Sequence, residues 1–252
     1  MKIHLAGAYS NTNNKTFPAK VKEYIKNNNI YSLESFFKIK KMDYNLPQGW
    51  QDYFILDSGA FTFIMSPKKF DIDWEKYTCD YANFILKYKI KYYIELDIDK
   101  VIGLSEVERL RKLLEKQVGY KCMPVWHINR GYDKWLEICR DYNYICFGCF
   151  LSDGLKQNKY KFLDKFLFDA KQNNCKVHGL GQTNNTVSQR YKFYSVDSMT
   201  WCYGSIKEVL FFFDGCKMIR YENLKKRIKM DIVQENNFFE WIKFQKYAEV
   251  YL

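Results

Sequence analysis

The sequence predicts an α/β fold, a (β/α)8 barrel, and three observations carry that expectation. Short β-branched or apolar runs alternate with amphipathic helical stretches, the pattern of βαβ units and a parallel sheet. Eight such runs occur, the strand count of a closed barrel. Six of them end on polar or glycine residues: 53–61 (YFILDSGAF), 92–99 (YYIELDID), 122–127 (CMPVWH), 144–149 (YICFGC), 176–181 (KVHGLG) and 193–198 (FYSVDS). Strand ends gathered at one mouth are where a parallel barrel builds its site.

Residues 2–7 read as the first strand, followed by a helix around 18–28 and a second strand at 31–36; the 36–52 connection is short of a full helix. After the 53–61 run, Asp73 is placed to cap a helix whose apolar positions Trp74, Tyr77, Tyr81, Phe84, Ile85 and Tyr88 follow helical spacing. Ser105 and Glu108 make a capping-box pattern ahead of Val107, Leu110, Leu113 and Leu114, and Gly119 ends that helix. Further helices are expected at 131–140, 160–173 and 205–213. Residues 221–252, basic and then aromatic (Phe238, Phe239, Trp241, Phe244, Tyr247), are expected to form helices packed on the barrel. With 252 residues, four prolines and no internal repeat, 1–252 reads as one domain with 221–252 as its C-terminal extension.

A hydrophobic fraction of 47% argues against disorder. The longest apolar run, Val209–Phe213, stops at Asp214, far short of a membrane span. The opening MKIHLAGAYS does not read as a secretory signal, so a cytoplasmic protein with no membrane contact is expected. The net charge of +11, from 40 Lys+Arg against 29 Asp+Glu, suggests a polyanionic partner. An AT-rich codon bias, visible in the abundance of Lys, Asn, Tyr, Phe and Ile, accounts for it equally well. The eight cysteines are irregularly spaced, and Cys146 and Cys149, three apart on a strand, point to opposite faces. Buried, reduced thiols and no metal site are the expectation.

Asp57 precedes Ser58 and Gly59, small residues that leave room for a flat ligand, and Phe61 is placed to cover a ring face. Taken alone, Asp57 reads equally as a cap on the next turn, with Gly59 serving its geometry. Asp197 ends the last strand, where a carboxylate can attack an electrophilic carbon or stabilise an oxocarbenium ion. Glu95, Asp97 and Asp99 share one strand parity, and one of them is expected at the mouth. Gly179-Leu180-Gly181 brings backbone close to a ligand edge, and His127 and His178 are assigned ligand-orienting roles.

Taken together, LDSGAF, the ELD strand end, HGLG and SVDS occur in the order seen in tRNA-guanine transglycosylases. The chain resembles most the short phage and bacterial relatives that insert 7-deazaguanine bases into DNA, over roughly residues 53–201. The resemblance implies Asp197 as nucleophile at C1′ of the sugar and Asp57 as general acid/base. It implies Ser58 and Phe61 in the base pocket, Asp97 on the guanidine-like edge, and Gly179 and Leu180 offering backbone groups. His127 falls where the tRNA enzymes carry a Gln.

Two departures stand out. Ala60 replaces the second glycine of the tRNA-enzyme motif, and the zinc-binding cysteine triplet with its histidine is absent after Asp197, where only Cys202 and Cys216 follow. The resemblance therefore implies guanine exchange by double displacement, without metal or redox cofactor, on DNA in preference to tRNA. The same acids would also serve a small-nucleoside exchange or hydrolytic enzyme, and a catalytically silent nucleic-acid-binding barrel is the reading from another class.

Overall fold

The structure, a computed structural model, describes residues 1–39, 46–59, 62–63, 71–148, 162–202, 209–222 and 228–252. Strands β1 (Lys2–Ala6), β2 (Ser32–Ser35), β3 (Phe54–Asp57), β4 (Val125–Trp126), β5 (Tyr144–Phe147), β6 (Lys176–Gly179) and β7 (Ser195–Ser198) form one parallel sheet in the order β3-β2-β1-β7-β6-β5-β4. Helices cover its outer face, and the sheet curls into a half-barrel. The fold is mixed α/β, as the alternation of runs requires.

Between the two edge strands lies the 92–94 segment. Leu56 of β3 makes a parallel bridge to Tyr93, and Ile94 makes one to Met123, just ahead of β4. Ile94 N–H donates to Leu56 O at 2.8 Å and Met123 N–H to Tyr93 O at 2.8 Å. The Tyr81 hydroxyl lies 2.9 Å from Leu56 O and 3.0 Å from Ile94 O, so the overlying helix clasps the same junction. Eight runs were expected as strands, and seven form. Pro124 removes a ladder donor at the start of β4, and the 92–99 run pairs only through Tyr93 and Ile94 before its acids turn to side-chain partners.

The helices are α1 (Ala8–Asn11), α2 (Ala19–Asn27), α3 (Phe36–Ile39), α4 (Trp74–Tyr88), α5 (Asp99–Ile102), α6 (Leu104–Val118), α7 (Tyr132–Asp141), α8 (Leu163–Gln172), α9 (Asn185–Arg190) and α10 (Met230–Tyr251). Asp73 caps α4, accepting from Lys76 N at 2.9 Å, and Gly119 ends α6 in the left-handed region at φ 88°. The Ser105–Glu108 capping box does not form. The chain enters α6 straight from α5 through Gly103, so Ser105 sits inside the helix, and Glu108 pairs with Lys134 at 2.6 Å instead.

The expected helix over 205–213 is also corrected: Leu210–Phe213 is strand β8, antiparallel to β9 (Met218–Tyr221), while 203–208 lie outside the described residues. A run of aromatics favours the pleated state, and Asp214 closes the turn by accepting from Cys216 N and Lys217 N. Among its described residues the C-terminal extension is thus the end of a hairpin and one long helix, α10. α10 is pinned beneath the sheet by Gln245, which donates to Ile3 O at 2.6 Å and Tyr31 O at 3.0 Å. Among the described residues no helix is long and apolar enough to cross a membrane.

Strand alternation splits the core in two. Ile3, Leu5, Phe54, Leu56, Tyr93, Ile145, Phe147, Val177 and Val196 pack outward against helices. Ala6, Leu33, Ile55, Ile94, Met123, Val125, Tyr144 and Cys146 form a smaller inner cluster. By the same period of two, His4, Ser35, Asp57, His178, Ser195 and Asp197 face inward.

Candidate active site

The inner cluster is roofed by acids. Asp57 ends β3 opposite Ser35, and Asp197 lies on β7 opposite His4. Burial, and then the neighbouring charges of Asp97 and Asp197, push the Asp57 carboxyl up to about 7 against the hydrogen bond from Gly59. The thiol of Cys146, fully enclosed below, is raised by burial and then by Asp97, Glu95, Asp57 and Asp197. Residues 140 positions apart in sequence therefore share one electrostatic environment at the C-terminal end of the sheet.

Asp57 Oδ2 accepts from Gly59 N at 2.9 Å, which is the turn-capping geometry expected of it taken alone. Gly59 sits at φ 84°, and a Cβ there would lie 2.6 Å from Phe37 Cβ, so glycine is required twice over. Ser58 is fully buried, with its carbonyl taken by the Tyr77 hydroxyl at 2.6 Å and its Oγ without a partner among the described residues. Phe61, like Ala60, lies outside the described residues.

Asp197 is nearly enclosed. Its Oδ1 accepts from Gly181 N at 2.8 Å, a bond made possible by the left-handed backbone of Gly181 at φ 66°. Gly179 is packed so closely on Gln182 and Phe193 that a Cβ would come within about 3 Å of both. Leu180 lies against the inner cluster, and its N–H bonds to Phe147 O at 3.1 Å, so this amide is committed to the sheet.

His178 faces inward, toward Ser195 and Asp197. Its Nδ1 lies 2.5 Å from Ser195 Oγ, which in turn lies 2.5 Å from the Tyr144 hydroxyl. Its Nε2 is 3.3 Å from Asp197 Oδ1 without hydrogen-bond geometry. The His4 ring stands edge-on to His178 at 5.7 Å. Burial, then the nearness of His178, holds His4 well below the usual histidine range.

Asp97 takes its place at the mouth beside His127, whose Nε2 contacts both carboxylate oxygens at 2.8 and 3.0 Å. Burial works to lower the His127 pKa, but the bond to Asp97 and its charge outweigh it, and the net shift is upward. Of the three acids sharing parity, Glu95 is fully buried between Arg111 (3.1 Å) and Arg130 (3.0 Å), and Asp99 lies 3.4 Å from Arg130. Asp97 is the one left partly open.

No family model, curated protein or solved structure matches the chain. The site is therefore judged on its own geometry. Asp97, Asp99 and His127 could between them offer three ligand atoms to a cation. The Arg130 guanidinium, 3.6 Å from Asp97 and 3.4 Å from Asp99, already supplies positive charge there, which makes these residues a poor cage for a metal.

Several contributors carried little signal in the sequence. Ser195 and His4 are legible in hindsight from inward parity with Asp197, and Tyr144 from parity with Cys146. Arg130 follows a turn and has no periodic mark. Gly148 was read only as part of the cysteine pair, yet a Cβ there would lie 2.3 Å from His127 Nδ1. Cys149 lies outside the described residues. A cavity lined by Tyr9 and Glu34 is on the helix side of the sheet, away from Asp57, Asp97 and Asp197.

Proposed function

We propose that the chain exchanges a purine-type base at C1′ of a nucleotide by double displacement, guanine leaving and a 7-deazaguanine entering. The observation that carries this is the pairing of unlike carboxyls at one mouth. Asp57 is pushed up to about 7 and so retains a proton near neutral pH, while Asp197 is held by a backbone donor. An acid able to give and retake a proton beside a carboxylate able to attack is what retaining chemistry at a sugar carbon needs.

In the first step Asp197 attacks C1′ as the C1′–N9 bond breaks, and the departing base takes the Asp57 proton. In the second, Asp57 removes the proton of the incoming base, whose nitrogen attacks C1′ and releases Asp197. Two inversions give retention. Asp97, oriented by His127, reads the donor edge of the base. None of the steps calls on a metal or redox cofactor.

We read the 92–94 segment, bridged on both sides, as an eighth stave, making a closed (β/α)8 barrel with its mouth at the acids. The resemblance of LDSGAF, HGLG and SVDS to transglycosylases supports the same reading, as does a net charge suited to a polyanion. The proposed polymer is DNA, in a cytoplasm, the target nucleotide being turned out of the stack to expose C1′. The test is incubation with radiolabelled 7-cyano-7-deazaguanine and either DNA or tRNA, followed by nucleoside analysis. Label in neither polymer overturns the proposal.

A further inference from the structure

The inner face beneath Asp197 carries a chain of polar groups that the double displacement does not itself use. Tyr144 on β5, Ser195 on β7 and His178 on β6 are all essentially removed from solvent. Two contacts of 2.5 Å link them in series, and the series ends at His178 Nε2, 3.3 Å from Asp197 Oδ1. That nitrogen is buried and has no hydrogen-bond partner among the described residues. A buried polar nitrogen left unpaired is costly, so a use for it is expected.

Proton counting gives the chain a direction. A hydroxyl has one proton to donate, and Tyr144, inside the inner cluster, is kept protonated by burial. If Tyr144 donates to Ser195, then Ser195 donates to His178 Nδ1, which must be the unprotonated nitrogen. The single ring proton of neutral His178 is then on Nε2, facing Asp197. The titratable groups around His178 are thus His4 on β1, Tyr144 and Cys146 on β5, and Asp197 on β7.

We propose that His178 is a positioning residue for the nucleophile, held by Tyr144 and Ser195 as the Nε2–H tautomer with that N–H beside Asp197 Oδ1 at 3.3 Å. This rests on the double-displacement reading for its catalytic consequence. Oδ1 then accepts from Gly181 N–H and has the positive end of the His178 Nε2–H dipole beside it, and Oδ2 is the attacking atom. The C1′–Oδ2 bond forms as the C1′–N9 electron pair leaves with the base. When C1′–Oδ2 later breaks, its pair returns to a carboxylate whose Oδ1 is already held. Stabilisation of that returning charge favours the second displacement.

The test uses the full chain with ¹⁵N-labelled histidine. The ring ¹⁵N spectrum, with His178 assigned by its loss in His178→Asn, should show Nε2 protonated and Nδ1 as an acceptor. In Ser195→Ala, that pattern should be lost. Base exchange should slow about 10- to 100-fold with KM for the polymer unchanged, and acid-quenched mass spectrometry should show more covalent nucleic acid–protein adduct. Tyr144→Phe, which keeps the ring volume, should give a smaller change in the same direction and serves if Ser195→Ala is poorly folded. A wild-type ring protonated on Nδ1 overturns the proposal, as does wild-type exchange in both variants. If the wild type labels no polymer, the exchange reading fails, and the ring spectrum alone decides the relay.

Discussion

His127 Nε2 lies 2.8 and 3.0 Å from the two oxygens of Asp97, so the partly open acid at the mouth is held on one side by a ring. The ring is itself placed by a missing side chain, since Gly148 leaves the space its edge occupies. Gly148→Ala should therefore displace His127 or the Trp126 carbonyl, costing about 1–3 kcal/mol in stability. Thermal melts of the two proteins, with exchange assayed in parallel, check this. An unshifted melting temperature would show that the ring yields freely.

Asp197→Asn removes the proposed attacking oxygen while keeping size and an acceptor for Gly181 N. Exchange should fall about 10⁴-fold or more, with nucleic-acid affinity within a few-fold of wild type. Single-turnover assays and filter binding measure the two separately. Exchange at the wild-type rate would remove Asp197 from the nucleophile's role.

Asp57 should cost stability as pH rises. Its carboxyl is raised to about 7 in the fold from an ordinary value near 3.8, so the native state binds more protons between those values and stability falls through that window. Asp57→Asn should consequently melt above wild type at pH 8, by about 1–2 kcal/mol once its partial solvent contact is allowed for, and gain less at pH 5. Exchange should be abolished at both. Equal effects on melting at pH 5 and pH 8 would refute the raised pKa.

Arg130 holds three acids together, contacting Glu95 at 3.0 Å, Asp99 at 3.4 Å and Asp97 at 3.6 Å. Arg130→Met keeps the apolar stem and leaves buried Glu95 with Arg111 alone. A destabilisation of about 3–5 kcal/mol is expected, read by denaturant unfolding. Lowering the pH should recover part of it as the acids protonate. A variant as stable as wild type would mean the network contributes nothing net.

Binding to DNA should fall steeply with salt, because a chain of net charge +11 meets phosphate by counterion release. Labelling of matched DNA and tRNA at equal ionic strength decides between the polymers. Preferential labelling of tRNA would overturn the DNA assignment and leave the chemistry of Asp57 and Asp197 untouched.

What the sequence determined by itself is the local grammar. The alternation of apolar runs and amphipathic stretches set the parallel α/β class, Asp73 and Gly119 marked real helix ends, and the positions of Asp57 and Asp197 on strands, sharing a face with their i−2 neighbours, were legible from the period of two. Where local signals competed, they misled: Ser105 and Glu108 had the spacing of a capping box, and the Val209–Phe213 run was assigned to a helix. Tertiary structure alone decided the rest. The last helix offering a surface for Phe211 and Phe213, Arg130 folding back on Glu95, and Tyr144 reaching His178 through Ser195 are contacts between segments far apart in the chain. Spacing reports which face a residue shares with its neighbours on one element. Which residues meet across elements depends on how those faces pack, and that is a property of the whole fold.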